Sequence, residues 1–535
     1  MSESPDAQEH VQRGVVGAVG AIGLATLASR VLGYARDVVV ARVFGAGPVT
    51  DAFFVAFRIP NLLRRLLAEG ALSTAVIPVF TETLTRGGPE AFARVARATT
   101  GAAIVVLCVV SALGASLAPQ VVAVMAPGWR ADASLFDLAV TLTRVMFPYL
   151  VLVGLAALAM GALNAHHRFF TAALGPALLN VTMILAVVGL ASRLTPAVMA
   201  LAVGVLVGGL AQLLVQLPEL RRLGVPLTPS WEWRHPAVAR IARRLWPAVF
   251  ALAAVQITVV VNTLLASLLP AGTVSYLYYA DRVMEFPLGI FGIALATAAL
   301  PSMSAQAARR DLGALRATLE WALQLSAFVA VPATVGLVVL GDPIVRILFQ
   351  RGEFGAADAL LTAQALAGYA VGLPAFSTTR IAAQTFYALG DTRTPVLVGF
   401  LSVAVNVALA LALMWPLRHT GLALASSLSS YVNVLVLCWL LRRRLHGPRG
   451  TGFWWSLGRT LIASAVLAGW CAWMSGALPG VVAPAGRGLV WLLVVLGGGV
   501  AVYAAAAAAL RAPELGSLLG MLRRRGGTLP GPGPR

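Results

Sequence analysis

The chain is a succession of apolar stretches, each long enough to cross a hydrocarbon layer of about 30 Å at 1.5 Å per residue. Such a sequence points to an all-α, polytopic membrane protein. Fourteen transmembrane helices are expected, near 17–44, 50–82, 95–126, 134–164, 168–192, 196–222, 236–269, 273–306, 313–340, 357–389, 394–415, 420–442, 455–477 and 486–511. Turn residues mark the breaks: FGAGPVTD after the first stretch and Leu269-Pro270-Ala271-Gly272 after the seventh. Over 535 residues, 59% are hydrophobic and only 11% charged, with a mean hydropathy of +0.84, far outside soluble usage.

All 40 basic residues are Arg, and the net charge is +19. In a soluble protein this balance would suggest nucleic acid as a partner. Here the arginines concentrate in short loops between apolar stretches, so nucleic acid is excluded. Twenty-five fall on the side that holds both ends of the chain and seven on the other, which predicts cytoplasmic termini. The opening segment, MSESPDAQEHVQRG, lacks the basic start and small-residue cleavage site of a secretory signal, so the amino terminus is expected to stay attached. Cys108, Cys438 and Cys471 lie singly in apolar runs and read as core residues, with no disulfide or metal site. The adjacent His166 and His167 read as interfacial.

The chain also repeats itself. ALSTAVIP at 71–78 matches ALATAALP at 294–301, an offset of 223, and Asn180 aligns with Asn406 at an offset of 226. Two similar offsets imply two six-helix lobes in the same orientation, with two extra carboxy-terminal helices. The expected domains are residues 1–226, then a linker and second lobe over 227–446, then 447–535 with the last two helices and a disordered basic tail. Parallel repeats of this kind place a substrate site between lobes and permit alternating access. The linker, with Trp231 and Trp233 among arginines, is expected on the cytoplasmic membrane surface.

Arginine inside an apolar helix costs roughly 2.5–3.5 kcal/mol on insertion scales, so several together suggest a polar cavity for an anion. The first helix carries Ser29, Arg30, Arg36 and Asp37; the second carries Asp51, Arg58, Asn61, Arg64, Arg65 and Glu69; the eighth carries Ser275, Asp281, Arg282 and Glu285. Arg30 and Arg36 stand about 9 Å apart along an ideal helix, a spacing suited to a large headgroup. Guanidinium forks grip phosphate oxygens bidentately, which makes Arg apt for a diphosphate. A structural role is the alternative for each: Arg282 and Glu285 can pair at i, i+3, Asp37 or Glu69 can neutralise other arginines, and Arg42, Arg58 and Arg144 can snorkel.

SRVLGYARD, FGAGPVTDAFFVAFRIPNLLRRLLAEGALSTAVIPVF, YYADRVMEFPLGIFGIALATAALPSMS and LGDTRTP resemble the MurJ (MviN) lipid II flippase family of the multidrug/oligosaccharidyl-lipid/polysaccharide (MOP) transporter superfamily. The likeness covers nearly the whole chain and thins after about residue 450. It implies a MATE-like fold of 14 helices around a cationic cavity. It also implies movement of undecaprenyl-diphosphate-linked disaccharide-pentapeptide, lipid II, to the outer leaflet of the bacterial cytoplasmic membrane for peptidoglycan synthesis. The family's cavity arginines match Arg30, Arg36, Arg64 and Arg282, and its accompanying polar residues match Ser29, Asp37, Asp51, Asn61, Glu69, Ser275 and Glu285. Membrane lipids and the peptidoglycan synthesis machinery are the further partners implied.

No cofactor is expected. Residues 246–269 and 377–390 hold no Asp or Glu for a cation site, which leaves coupling to a monovalent cation or to membrane potential open; the potential is worth about 2.3 kcal/mol per charge moved through 100 mV. Three competing functions differ in what they demand of the sequence. A flippase for O-antigen or capsule units shares the diphosphate chemistry but not these motifs. A multidrug exporter would repel its cationic drugs with this arginine set. A membrane glycosyltransferase needs carboxylates in a cytoplasmic loop, where the loops here are basic.

Overall fold

The computed structural model describes residues 26–64, 72–226, 228–232, 234–289, 293–445, 451–477 and 485–523. The expectations for the amino terminus, Trp233 and the basic tail fall outside these residues. Every described regular element is helical. In chain order these are α1 (26–44), α2 (Pro48–Arg64), α3 (Leu72–Ser116), α4 (Ala118–Met125), α5 (Ala133–Met146), α6 (Tyr149–Ala165), α7 (Phe170–Ala173), α8 (Gly175–Leu190), α9 (Met199–Leu214), α10 (Leu217–Arg222), α11 (Pro236–Ser267) and α12 (Thr273–Pro287). There follow α13 (Ile293–Ala308), α14 (Leu312–Val339), α15 (Gly341–Phe349), α16 (Ala356–Ala370), α17 (Leu373–Ala388), α18 (Arg393–Arg444), α19 (Thr451–Ala477), α20 (Ala485–Ala509) and α21 (Pro513–Arg523).

Nine helical stretches among the described residues are long and apolar enough to cross a membrane, so the protein is a multi-pass membrane protein. Two of them fold back on themselves. In α3, Gly88 leaves helical geometry at φ 73°, and the rings of Phe80 and Phe92 stand 5.3 Å apart; in a straight helix those residues would be about 18 Å apart. In α18 the break comes at Arg418 (φ 49°), just after Pro416. Beyond it the Ser402 hydroxyl reaches the Ser429 carbonyl at 3.0 Å, a bond that only an antiparallel return allows.

The chain divides into two compact units, Met1–Val274 and Ser275–Arg535. Each has a core at the same place in its sequence. Unit 1 buries Val76, Phe80, Phe92, Ala96, Leu158, Ala159 and Leu163 together. Unit 2 buries Ala299, Met303, Leu315, Leu319, Ile381, Ala382 and Phe386, which are the same seven positions displaced by the offset of the ALSTAVIP match. That offset thus recurs through three helices of each core. The pairs differ in bulk, Phe80 against Met303 and Leu163 against Phe386, as expected when each core repacks to its own close-packed solution.

α11, which the repeat counts as the first helix of the second lobe, packs in unit 1. The Ser267 carbonyl lies where a Cβ on Gly128 would sit, at 2.1 Å, and the Ser267 hydroxyl accepts the Gly128 N–H at 3.3 Å. The linker ahead of α11 is held in the same way: the Ser230 N–H bonds to the Arg97 carbonyl at 3.1 Å, and a Cβ on Gly101 would meet the Ser230 oxygen at 2.1 Å. Gly101→Val is therefore expected to lift residues 228–232 off α3, at a cost typical of overpacking, about 1–3 kcal/mol. Faster limited proteolysis in this linker, with the rest of unit 1 equally resistant, is the expected result.

Asp391, in the LGDTRTP turn, accepts bonds from the Thr394 hydroxyl at 2.6 Å and from the N–H groups of Thr394 and Arg393 at 3.0 Å each. It also pairs with Arg444 at 2.6 Å, clasping the two ends of the α18 hairpin. The Thr394 hydroxyl first, then the Thr394 amide, and then Arg444 hold its carboxyl down at about 2. The unfolded-state value is about 3.9, so the stabilisation is complete above that pH and is lost as pH falls through about 2. The thermal stability gap between wild type and Asp391→Asn is expected to be flat above about pH 5 and to close towards pH 2.

Candidate functional site

In unit 1 the candidate residues divide by environment. Arg30 is solvent-exposed on α1 and makes no ion pair among the described residues. Two turns on, Arg36 is buried, with 7% of its surface exposed, and Asp37 beside it is at 1%. Arg36 Nε and Nη2 both donate to Asp37 Oδ1, at 3.0 and 2.6 Å, and Nη1 donates to Asn180 Oδ1 of α8 at 3.1 Å. The Asn180 amide donates in turn to the Ser29 carbonyl at 3.1 Å. Asn180, far from all three in the chain, thus joins the Arg36–Asp37 pair to the Ser29 backbone. The expectation that Asp37 neutralises an arginine is realised here, and it fixes the Arg36 guanidinium to the α8 wall.

α2 carries the rest of the unit 1 set. Arg64 Nε donates to Asn61 Oδ1 at 3.1 Å, so these two share one face of its last turns. Arg58 bonds the Thr263 hydroxyl, fastening α2 to α11 rather than snorkelling. Asp51 is 1% exposed and its Oδ2 accepts the Gly272 N–H at 2.6 Å. Its carboxylate therefore pins the turn that follows α11, helped at this end by Thr50, whose hydroxyl bonds the carbonyls of Phe44 and Gly45 at 3.1 Å each. Arg65 and Glu69 lie outside the described residues.

In unit 2, α12 brings Arg282 and Glu285 together at 3.0 Å, with side chains 32% and 46% exposed. The Arg282 guanidinium also stands 5.9 Å from the centre of the Tyr278 ring. Ser275, near the start of α12, is fully buried. Arg380, on α17, was not among the residues singled out from sequence. It is exposed, within electrostatic reach of Glu285, and makes no ion pair within 4 Å among the described residues. The signal was present: a single Arg in the otherwise uncharged stretch 377–390. Glu285 is therefore within reach of two guanidinium groups, Arg282 at 3.0 Å and Arg380 electrostatically. Among the described residues no group of three or more His, Cys, Asp or Glu is placed to hold a metal.

A family model described as lipid II flippase MurJ matches residues 40–484. The chain belongs to this family. MurJ relatives include the lipid II flippase MurJ of Burkholderia cenocepacia, 40% identical over 455 residues that span 84% of this chain and 88% of that one. The probable lipid II flippase MurJ of Vibrio cholerae is 38% identical over 457 residues, 84% of this chain and 87% of its own. Among solved structures, a MurJ in an inward closed conformation superposes with a TM-score of 0.77 at 23% identity, covering 94% of this chain and 99% of that one. An inward-facing MATE transporter of the MOP superfamily gives 0.64 at 15% identity, covering 80% and 98%. The fold is that of the MurJ and MATE transporters. The family match begins after Arg30 and Arg36, so those two arginines are assigned from their own surroundings.

Proposed function

We propose that the protein is a lipid II flippase, a transporter rather than an enzyme, moving undecaprenyl-diphosphate-linked disaccharide-pentapeptide from the inner to the outer leaflet of a bacterial cytoplasmic membrane. Its place is the cytoplasmic membrane with both termini in the cytoplasm, and its fourteen spans make two six-helix lobes and two further carboxy-terminal helices. Lipid II and the surrounding membrane lipids are its partners, with the peptidoglycan synthesis machinery downstream.

One observation carries the chemistry of this reading: exposed guanidinium groups, Arg30 in unit 1 and Arg380 beside the Arg282–Glu285 pair in unit 2, are retained on helices of an otherwise apolar protein. A diphosphate and sugars cannot enter hydrocarbon unaided, because desolvation without replacement hydrogen bonds is prohibitive. Guanidinium donors replace that water, while the polyprenyl chain remains in lipid. Arg30 and Arg282 act as the diphosphate ligands, and Arg36, held by Asp37 and Asn180, presents its charge from a fixed position. Alternating access moves the headgroup. Membrane potential acting on these charges is the energy source favoured by the lack of Asp and Glu in 246–269 and 377–390, where a cation site would need one.

Complementation tests the proposal. In a bacterium depleted of its own lipid II flippase, the wild-type chain is expected to restore lipid II arrival in the outer leaflet. Well-expressed Arg30→Ala and Arg282→Ala variants are expected to fail. A properly inserted wild type that moves no lipid II, but moves an undecaprenyl-linked O-antigen or capsule unit, would reassign the cargo.

A further inference from the structure

We propose that Glu514 and the hydroxyl-bearing face of α19 form a binding site for a monovalent metal cation, Na+. The site lies in unit 2; Glu514 is beyond residue 484, where the family match ends, while α19 lies within it, and the site is separate from the arginines discussed above.

Glu514 opens α21 and is only 4% exposed. Its Oε1 accepts a short bond from the Ser456 hydroxyl, 2.5 Å. Its Oε2 is buried with no hydrogen-bond partner. On α19, Ser456, Thr460 and Ser464 recur every fourth residue, so they share one face, and they are 4%, 1% and 2% exposed. The hydroxyl oxygens of Thr460 and Ser464 are likewise without a partner of good geometry. Tyr503 of α20 lies beside Thr460 and within electrostatic reach of Glu514, its own hydroxyl donating to the Phe328 carbonyl at 2.7 Å.

The charged groups nearby are committed elsewhere. Arg459 of α19 donates to the Arg511 carbonyl at 3.4 Å, Arg316 and Glu320 of α14 pair with each other at 2.9 Å, and no described arginine forms an ion pair with Glu514. An ionised carboxylate buried without a counter-ion is strongly disfavoured. A small hard cation resolves it: the carboxylate supplies the balancing charge and the hydroxyls of Ser456 and Thr460 supply neutral oxygen ligands. A single carboxylate matches one positive charge. Bound there, the cation would staple the start of α21 to α19.

The test uses the purified full-length protein in lipid nanodiscs, with NaCl exchanged for choline chloride at constant ionic strength and pH while thermal unfolding is followed. Na+ is expected to raise the unfolding temperature saturably. Glu514→Gln should abolish that response. Because this variant could also disturb folding, the double variant Ser456→Ala/Thr460→Val, which keeps the carboxylate, is read alongside and should need about tenfold or more Na+ for half-maximal stabilisation. A wild type indifferent to Na+, an undiminished Na+ response in Glu514→Gln, or a response reproduced in choline simply by lowering the pH would each overturn the site. None of these readouts involves transport, so the outcome is independent of the cargo.

Discussion

Asp37→Ala is expected to destabilise the protein by about 3–5 kcal/mol, the range for removing one partner of a buried ion pair. The reason lies in what is left behind. Asp37 Oδ1 accepts two N–H groups of Arg36, and both side chains are almost wholly buried. Without the carboxylate, two N–H groups of a buried guanidinium lose their acceptor and the charge loses its paired anion, while Asn180 Oδ1 still takes one N–H at 3.1 Å. Burying a charge stripped of its paired anion is costly. Arg30→Ala, by contrast, removes an exposed charge and should leave stability within about 0.5 kcal/mol of wild type. The decisive variant is the double replacement Arg36→Met/Asp37→Leu. Buried ion pairs replaced by apolar residues of similar volume are often neutral or stabilising, so thermal unfolding should return to near the wild-type temperature. If Arg36 also contributes charge to the headgroup path, as proposed, this stable double variant should still fail in the flippase-depletion assay. Recovery of transport together with stability would make the Arg36–Asp37–Asn180 network purely architectural.

How much of this was legible beforehand depends on the reach of each interaction along the chain. The membrane class is set by the apolar runs themselves. The parallel repeat is written in matched positions at one constant offset, which the two cores then reuse. Arg282 and Glu285 were readable as a pair because i, i+3 places them on one helix face. Asn180 was visible only as a repeat position, since its bond to Arg36 joins helices remote in sequence. Likewise Arg58 reads as snorkelling until the fold brings Thr263 of α11 beside it. Asp51 shows the same limit from another side: it sits in a motif shared with a transporter family, and the fold also gives it a backbone amide to hold in the turn after α11. The LGDTRTP turn is similar, its Asp391 fastening the α18 hairpin through Arg444. Motif residues mark what a fold needs as well as what a ligand needs. Glu514 gave no warning at all, because its hydrogen-bonded partner, Ser456, lies in a different helix well upstream.

Opposite outcomes are expected for the two halves of the Arg282–Glu285 pair. Both side chains are substantially exposed, so the pair is worth at most about 1 kcal/mol to stability, and neither Arg282→Gln nor Glu285→Gln should move the unfolding temperature appreciably. Their effects on lipid II binding should diverge. On the proposed role of Arg282, Arg282→Gln removes a charged donor to the diphosphate, worth about 1.5–3 kcal/mol, so affinity in nanodiscs should fall by roughly 10- to 150-fold. Glu285→Gln leaves Arg282 and Arg380 without the carboxylate that now partly neutralises them, so affinity should hold or rise. Net charge at the site controls capture in this picture, and Glu285 restrains it so that the headgroup can leave. Release, measured by lipid II dissociation, should accordingly slow in Glu285→Gln, and transport should fall even though binding improves. An equal loss of affinity in both variants would mean that the pair serves only to shape α12, and that the anion is held by other arginines.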